Sequence, residues 1–235
     1  MRVSEFICIF AFKALQMDLS QIDIYRMTHI KNIPHILEHG VTHKKSLNAN
    51  PDYVTIADTS LINTRLTKIV KISNGNRNQF YGNIILGDFI PFYFGVRMPM
   101  LYVVQLGGNY VKQAFPAEDI IYLVCKLSEI CQADIKYFFS DRHAVDAFAL
   151  FYNSSKIAEL PAIINWDAVK APYWGGEKNL ETKKLKEAEF LVADDIPVKY
   201  LHGFICFNEA AKQSLIDIGI DTMKIKIDYD AYYKL

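Results

Sequence analysis

The 235-residue sequence lacks most of the simple compositional features that assign a protein to a structural or functional class. Lys plus Arg and Asp plus Glu each total 26, so the net charge is zero, and no global field favours nucleic acid or a membrane surface. No apolar run reaches the length of a membrane span. No C-x-x-C pair occurs, and the cysteines lie in apolar runs, as is typical of reduced core residues in a cytoplasmic protein. They are Cys8, Cys125, Cys131 and Cys206.

Several common catalytic and binding motifs are also missing. No G-x-G-x-x-G opens a helix after a strand, so a Rossmann dinucleotide site is disfavoured. The phosphate-binding Walker loop and the G-x-S-x-G elbow of α/β-hydrolases are absent as well. His35 and His39 have the i, i+4 spacing of helical metal ligands, but no acidic or cysteine ligand nearby completes a set. No metal is therefore expected.

Half of the chain is apolar, at 51% hydrophobic residues, which is enough for a substantial core. We find no internal repeat or linker and predict a single domain over residues 17–235. Residues 6–12 are apolar, but Glu5 and Lys13 flank them and no small-residue cleavage site follows. Residues 1–16 are therefore predicted to be an N-terminal extension or a mis-called start. A chain that begins at Met17 is expected to be stable and active.

Hydrophobic periodicity predicts a mixture of strands and helices without a regular βαβ rhythm, which favours an α+β fold. Strands are predicted at residues 24–29, 53–57, 87–95, 120–125, 135–139, 189–192, 203–207 and 223–229. Helices are predicted after Asn32 as far as Gly40, from Thr59 to about residue 72, between the strands at 120–125 and 135–139, after Ser140, and over residues 208–218. Residues 154–180 are expected to be mostly connection.

Three side chains stand out within this pattern. Glu189 begins a short apolar run, so its carboxylate is predicted at the mouth of the core, although an ordinary charged residue at a strand end is the alternative. Arg65 interrupts an apolar stripe formed by Leu61 and Ile69 on the second helix, and it needs a core carboxylate or an anionic ligand as a partner. Tyr93 alternates with buried aromatics and is expected to face a cleft, where its ring stacks on a planar ligand.

Four stretches in order resemble the DarT family of DNA ADP-ribosyltransferases, which are toxins of bacterial toxin–antitoxin pairs. They are residues 24–33, residues 89–94 with 99–102, residues 141–144 and residues 188–192. The resemblance covers about residues 22–230. It implies a mono-ADP-ribosyltransferase fold, with a central split β-sheet and flanking helices, that takes NAD as co-substrate without a Rossmann motif. It also implies a pentosyltransferase that acts as a monomer on single-stranded DNA, with a cognate antitoxin that removes the ADP-ribose.

The resemblance also implies roles for individual residues. It places the catalytic glutamate at Glu189 and an essential arginine at Arg65. The NAD contacts that it implies are Arg26, Thr28, His29, Asn32, Arg65 and Tyr93. On the substrate side it implies Met100 and His143, together with the basic residues Lys183 and Lys184. Further basic residues expected beside the same cleft are Lys68, Lys71, Arg77, Lys178 and Lys186, whereas Glu187 is expected outside the pocket.

Two departures from the family pattern leave the target base open between thymine and guanine. Residues 96–99 are Val-Arg-Met-Pro where many members have Pro-Arg-Ser-Pro, and residues 58–86 diverge. In the implied mechanism Glu189 stabilises the charge that develops on the ribose as nicotinamide leaves. Arg65 holds a phosphate or assists deprotonation of the base. A transferase acting on protein or RNA, and an inactive binding module, are the alternatives; the presence of both Glu189 and Arg65 argues against the latter.

Overall fold

A large mixed sheet with helices around it forms the framework of the computed structural model, which describes residues 18–108, 111 and 113–234. The strands are β1 Asp23–His29, β2 Ile69–Lys71, β3 Asn83–Ile85, β4 Ile90–Tyr93, β5 Ile120–Lys126, β6 Tyr137–Ser140, β7 Phe151–Asn153, β8 Glu189–Val192, β9 Gly203–Cys206 and β10 Ile225–Ile227. The helices are α1 Ile33–His39, α2 Thr59–Thr67, α3 Pro99–Leu106, α4 Leu127–Gln132, α5 Leu160–Ile163, α6 Trp166–Lys170, α7 Leu180–Lys186 and α8 Glu209–Asp217. The expected extension at residues 1–16 lies outside the described residues.

The eight-stranded sheet runs in the order β10-β9-β5-β1-β4-β8-β6-β7, and β2 pairs with β3 in a separate ribbon. β1 pairs with β5 along its whole length, from Asp23 opposite Lys126 to His29 opposite Ile120. β1 registers with β4 only at Tyr25 opposite Tyr93. The sheet therefore opens between β1 and β4. This opening corresponds to the split in the central sheet that the family resemblance implied. None of the helices in the described part of the chain has the length and apolar character needed to cross a membrane.

Strands β1, β4, β5 and β8 lie where the hydrophobic pattern predicts them because their side chains are buried on one or both faces. From Ile120 to Leu123 every side chain of β5 is fully buried, as expected of a central strand. The last helix also agrees with its sequence signals. Asn208 caps it by accepting a hydrogen bond from the Ala211 N–H, and Gly219 follows its end at φ 103°.

The prediction for residues 53–72 is wrong in three respects. Residues 53–57 form no strand. The helix ends at Thr67 rather than near residue 72, and Asp58 caps it by accepting from the Ser60 and Leu61 N–H groups. Ile69 then belongs to β2, opposite Ile85, and it is 63% exposed. Strand pairing overrides the weak helical pattern here, so Arg65 does not interrupt a buried stripe.

The helix predicted after Ser140 is also absent. Residues 141–150 form a loop of turns, called the 141–150 loop below. The Ser140 hydroxyl donates to the Arg142 carbonyl and accepts from the Glu189 N–H, so it is not available as a helix cap. Phe148, an apolar residue of this segment, is 63% exposed. Residues 154–180, expected to be mostly connection, include the short helices α5 and α6.

Candidate active site

A cavity of about 320 Å³ opens at the split between β1 and β4. Both strands contribute to it, together with α2, α3 and the 141–150 loop. Its lining includes Arg26, Arg65, Tyr93, Met100 and His143. Five of the residues to which the resemblance gives a role therefore lie around one space.

Glu189 is the first residue of β8 and pairs with Tyr93 across the sheet. It has no exposed surface. Its Oε2 accepts a hydrogen bond from Arg65 Nη1 at 2.8 Å, and its Oε1 accepts one from the Ala144 N–H at 3.0 Å. The strand, α2 and the 141–150 loop thus fix the orientation of this carboxylate, and it lies behind the cavity wall rather than at an open mouth.

Arg65 connects Glu189 to the cavity. Its side chain is 16% exposed and lines the cavity. Its Nη2 atom is buried and has no hydrogen-bond partner among the described residues. A buried donor without a partner is costly, so the guanidinium retains a donor for an acceptor on a ligand, such as a phosphate or hydroxyl oxygen.

His143 lies between two buried carboxylates. Its Nε2 is 4.0 Å from Glu189 Oε1 and its Nδ1 is 3.9 Å from Glu187 Oε2. Its backbone N–H donates to the Lys184 carbonyl, which anchors the 141–150 loop on α7. Glu187 was expected outside the pocket, but it is only 5% exposed, and burial raises the pKa of its carboxyl. Glu187 does not line the cavity, so it lies outside the pocket as expected, although the last turn before β8 buries it beside His143.

Tyr93 and Arg26 both line the cavity at the split. Burial raises the pKa of Tyr93 well above the ordinary value of a phenol, so its hydroxyl remains a donor at neutral pH. Arg26 Nη1 donates to the Pro91 carbonyl at 3.0 Å, which joins β1 to β4 where they have no further registered pair. Met100, on the first turn of α3, adds an apolar surface to the same cavity.

A second cavity of about 310 Å³ continues the first. Both are lined by Arg26, Thr42, His43, Lys44, Tyr53 and Thr55. Thr28 lines the second. Asn32 lines neither; its Nδ2 donates to Thr28 Oγ1 and to the Val54 carbonyl, and its Oδ1 accepts from the Val54 N–H. Asn32 therefore supports the wall formed by residues 53–57 instead of capping α1.

The remaining predicted site residues lie away from both cavities. His29 packs its ring against Phe115, at 5.2 Å between ring centroids, and lies 3.8 Å from Asp119. Burial lowers its pKa. Lys183 lies 5.2 Å from the centroid of the Trp174 ring. None of these contacts faces the two cavities.

The basic residues ahead of β8 do not all lie at the surface. Lys184 pairs with Asp146 at 2.9 Å. Lys186 is 2% exposed and donates to the Val169 carbonyl at 2.7 Å, and burial lowers its pKa to about 8. Its expected place in a basic surface is therefore wrong. In the described part of the chain no group of three or more His, Cys, Asp or Glu side chains is placed to hold a metal ion.

Sequence reasoning missed the Thr42–Lys44 wall and Met27. The available signal was weak: a polar triplet that follows Val41, one residue beyond Gly40, which ends α1. His43 Nε2 lies 3.1 Å from the Gly87 carbonyl, which holds this triplet against the turn that precedes β4. That contact joins residues far apart in the chain, so no local pattern indicates it.

Comparison with known proteins identifies relatives of this chain. The family model described as "ssDNA thymidine ADP-ribosyltransferase, DarT" matches residues 25–233. A Thermus sp. (strain 2.9) protein named DNA ADP-ribosyl transferase is 30% identical over 197 residues, which are 83% of this chain and 86% of that protein. The structure of Thermus sp. 2.9 DarT in complex with ADP-ribosylated ssDNA aligns with TM-score 0.75 and 26% identity, over 90% of this chain and 96% of that chain.

Two further matches concern ligands and partners. The Thermus protein in complex with NAD⁺ aligns with TM-score 0.70 and 26% identity, over 90% of this chain and 98% of that one. A Thermosipho africanus protein named as a fusion of DNA ADP-ribosyl transferase and DNA ADP-ribosyl glycohydrolase is 26% identical over 184 residues. These are 76% of this chain and 41% of the fusion protein.

Proposed function

Because the chain belongs to the DarT family of ssDNA thymidine ADP-ribosyltransferases, we propose that it transfers ADP-ribose from NAD to thymine in single-stranded DNA and releases nicotinamide. The observation that carries the proposal is the buried Glu189–Arg65 pair at the cavity in the split sheet. The description of the family favours thymine over guanine. A base in a duplex is shielded by stacking and pairing, which favours a single strand.

The residues fit NAD in two ways. The two cavities, of about 320 and 310 Å³, share part of their lining, so each has room for one half of a dinucleotide. Arg65 Nη2 is a buried donor that lacks an acceptor among the described residues, and NAD brings phosphate and ribose oxygens. We place the nicotinamide half near Tyr93 and Glu189, and the remainder along Arg26 and Thr28. His29 faces the opposite side of β1, so we assign it no direct NAD contact.

NAD supplies a ribose whose bond to nicotinamide breaks as positive charge develops on the sugar. Glu189 stabilises that charge and hydrogen-bonds a ribose hydroxyl. Since Glu189 has no exposed surface, Arg65 must first shift from Oε2 toward the ligand phosphates. Tyr93 and Met100 shape the space for the planar ring. The electrons of the broken bond leave with neutral nicotinamide, the new bond forms from the same ribose carbon to a ring nitrogen of thymine, and the proton on that nitrogen passes to solvent.

The biological setting is part of the same proposal. We propose one domain, because strands from Asp23 to Ile227 share one sheet. A cognate antitoxin that removes ADP-ribose is supported by the natural fusion of such a transferase to a glycohydrolase. A cytoplasmic location agrees with the free thiols of Cys125, Cys131 and Cys206. The monomeric state stays a prediction.

The test is transfer of ADP-ribose from NAD to homopolymer oligonucleotides, read by mass spectrometry. Wild type should label the thymidine oligonucleotide and leave matched duplex almost unmodified. Glu189→Gln keeps the size of the side chain and one acceptor oxygen, for either Arg65 or the Ala144 N–H, whereas Glu189→Ala removes both acceptors and leaves Arg65 unpaired. We expect Glu189→Gln to lose roughly a thousandfold in rate. Equal labelling of all four bases, or labelling only of added protein or RNA, would defeat the proposal.

Arg65→Lys separates the roles left open for Arg65. If the planar guanidinium pairs with Glu189 in the free protein and donates two parallel hydrogen bonds to ligand oxygens after its shift, a lysine point charge cannot make the paired contact, and kcat/KM should fall by roughly a hundredfold. Arg77→Lys is the control, because Arg77 is exposed and donates to the Phe148 carbonyl; it should stay near wild type. Full activity of Arg65→Lys would reduce Arg65 to charge neutralisation.

A further inference from the structure

A groove lined by aromatic residues lies on the other side of α3 from the catalytic cavity. It has a volume of about 550 Å³ and is lined by residues that include Arg97, Tyr102, Tyr173, Trp174 and Tyr233. We call it the aromatic groove. Met100 lines the catalytic cavity, whereas Tyr102, two residues on and so on the opposite side of the helix, lines the aromatic groove. The two spaces are therefore separated by about one helix diameter, 10–12 Å.

Arg97 is held in a strained conformation beside this groove. Its φ is 57°, a left-handed value that an arginine rarely adopts. Two tyrosine hydroxyls fix it: the Arg97 N–H donates to Tyr122 at 2.9 Å, and Tyr233 donates to the Arg97 carbonyl at 2.8 Å. Strain that the surrounding structure imposes in this way often marks a functional position.

The Arg97 side chain retains capacity to bind a ligand. Its guanidinium carbon lies 4.9 Å from the centroid of the Tyr233 ring. Its Nε is buried and has no hydrogen-bond partner within the described residues. Asp230 and Lys234 also line the groove and pair with each other at 3.4 Å. The groove is thus lined by a cation held against the Tyr233 ring.

The aromatic rings form a rigid cluster. Tyr102, Trp174 and Tyr233 meet edge to face, with centroids 5.2 to 6.3 Å apart, and Trp174 Nε1 donates to the Tyr233 hydroxyl at 2.5 Å. Lys183 covers Trp174 at 5.2 Å. Tyr173 is 69% exposed, so the face of an aromatic ring is open to solvent at the edge of a prearranged cluster.

We propose that the aromatic groove binds the nucleotides of single-stranded DNA that flank the target base, by stacking on Tyr173 and Trp174 and by contact of phosphates with Arg97 and Lys183. The proposal rests on the proposed function for its ligand. Aromatic side chains with neighbouring cations are the usual means by which proteins hold unpaired bases. They also give local affinity to a chain whose net charge is zero. Binding of DNA at the groove would also explain how Lys183 can contact the substrate although it does not line the catalytic cavity.

The test is binding of labelled thymidine oligonucleotides, a tetranucleotide and a dodecanucleotide, by fluorescence anisotropy at several salt concentrations. Tyr173→Ala should weaken dodecanucleotide binding by roughly tenfold and the tetranucleotide less. Lys183→Met should reduce the salt slope by about 0.7. Two matched controls should bind like wild type: Tyr81→Ala, a 52% exposed tyrosine beside the β2–β3 ribbon, and Lys199→Met, whose ammonium lies 4.9 Å from the Tyr200 ring.

The outcomes separate this inference from the proposed function. Loss of affinity in Tyr173→Ala and Lys183→Met supports the groove, even if no base becomes labelled; in that case the proposed function alone fails. If DNA is labelled but both variants bind the dodecanucleotide like wild type, the groove proposal is overturned. It is also overturned if the controls lose as much affinity as the groove variants.

Discussion

At the scale of single residues, the site depends on where two glutamates are buried. Glu189 is satisfied by Arg65 and by a backbone N–H. Glu187 lies two residues earlier and is nearly as buried, and its carboxylate lies 3.9 Å from the ring nitrogen Nδ1 of His143. A buried carboxylate with a distant partner resists ionisation. Glu187 therefore bears on the stability of the site rather than serving as a neutral reference for Glu189.

The raised pKa of Glu187 predicts a pH dependence of stability. Burial raises this pKa above its ordinary value of about 4.5; His143, Lys183 and Lys186 oppose the shift and Glu189 adds to it. As the pH rises above about 4.5, the unfolded glutamate ionises first, so the folded wild type loses stability until its own pKa is passed. Glu187→Gln cannot ionise and should gain relative stability over that range, measured by urea unfolding at several pH values.

Glu181→Gln is the matched control for this measurement. Glu181 is 61% exposed at its side chain and pairs with Arg142 at 2.7 Å. An exposed pair contributes little to stability. The free energy of unfolding of Glu181→Gln should therefore vary with pH above 4.5 as that of wild type does, at the same value or slightly below it. A difference between Glu187→Gln and wild type that stays constant across the whole pH range would contradict the account of Glu187.

At the scale of elements, α2 positions Arg65, and Gly87 sets how closely α2 approaches the turn before β4. A Cβ added at Gly87 would lie 2.8 Å from Leu66 Cα and 2.9 Å from the Arg65 carbonyl oxygen. Both are backbone atoms, so no side-chain rotation relieves the contact. Leu86 also donates its N–H to the Lys68 carbonyl, which fixes the same approach from the other side.

Gly87→Ala should therefore displace the last turn of α2 and Arg65 with it. We expect kcat/KM for ADP-ribose transfer to fall by roughly tenfold to a hundredfold, with a loss of about 1–3 kcal/mol in the free energy of unfolding. Gly203→Ala is the control, because its added Cβ meets only the Lys224 carbonyl oxygen, at 3.3 Å. If Gly87→Ala transfers ADP-ribose as fast as wild type and Gly203→Ala, the close approach of α2 to the turn before β4 does not determine the position of Arg65.

At the scale of the whole molecule, the end of the chain closes one half of the sheet. The Tyr232 hydroxyl is fully buried and lies 2.9 Å from the carbonyl oxygens of both Ile120 and Ile205. It thus joins the start of β5 to β9, and its ring packs against Tyr122 at 5.5 Å between centroids. The last residues of the family match are therefore part of the core that supports β1 and the cavity.

Tyr232→Phe removes this hydroxyl and leaves two buried carbonyl oxygens with one donor fewer. We expect a loss of about 1–2 kcal/mol in the free energy of unfolding, with transfer by the folded fraction close to wild type, measured by urea denaturation and by the labelling assay. Tyr229→Phe, at a 48% exposed position, should change neither quantity. Equal free energies of unfolding for the two variants would show that the contact of the Tyr232 hydroxyl with β5 and β9 does not stabilise the fold.

The sequence by itself determined the features that depend on local pattern. β1, β5, β8 and α8 follow from apolar periodicity and from Asn208 and Gly219, and Glu189 is at the start of its strand as predicted. Only the tertiary structure decided the rest. Ile69 leaves a helix because Ile85 pairs with it, and the 141–150 loop has its form because Glu189 and Lys184 bond to it. Such partners are distant in the chain, so their energies outweigh local preference without leaving a local signal.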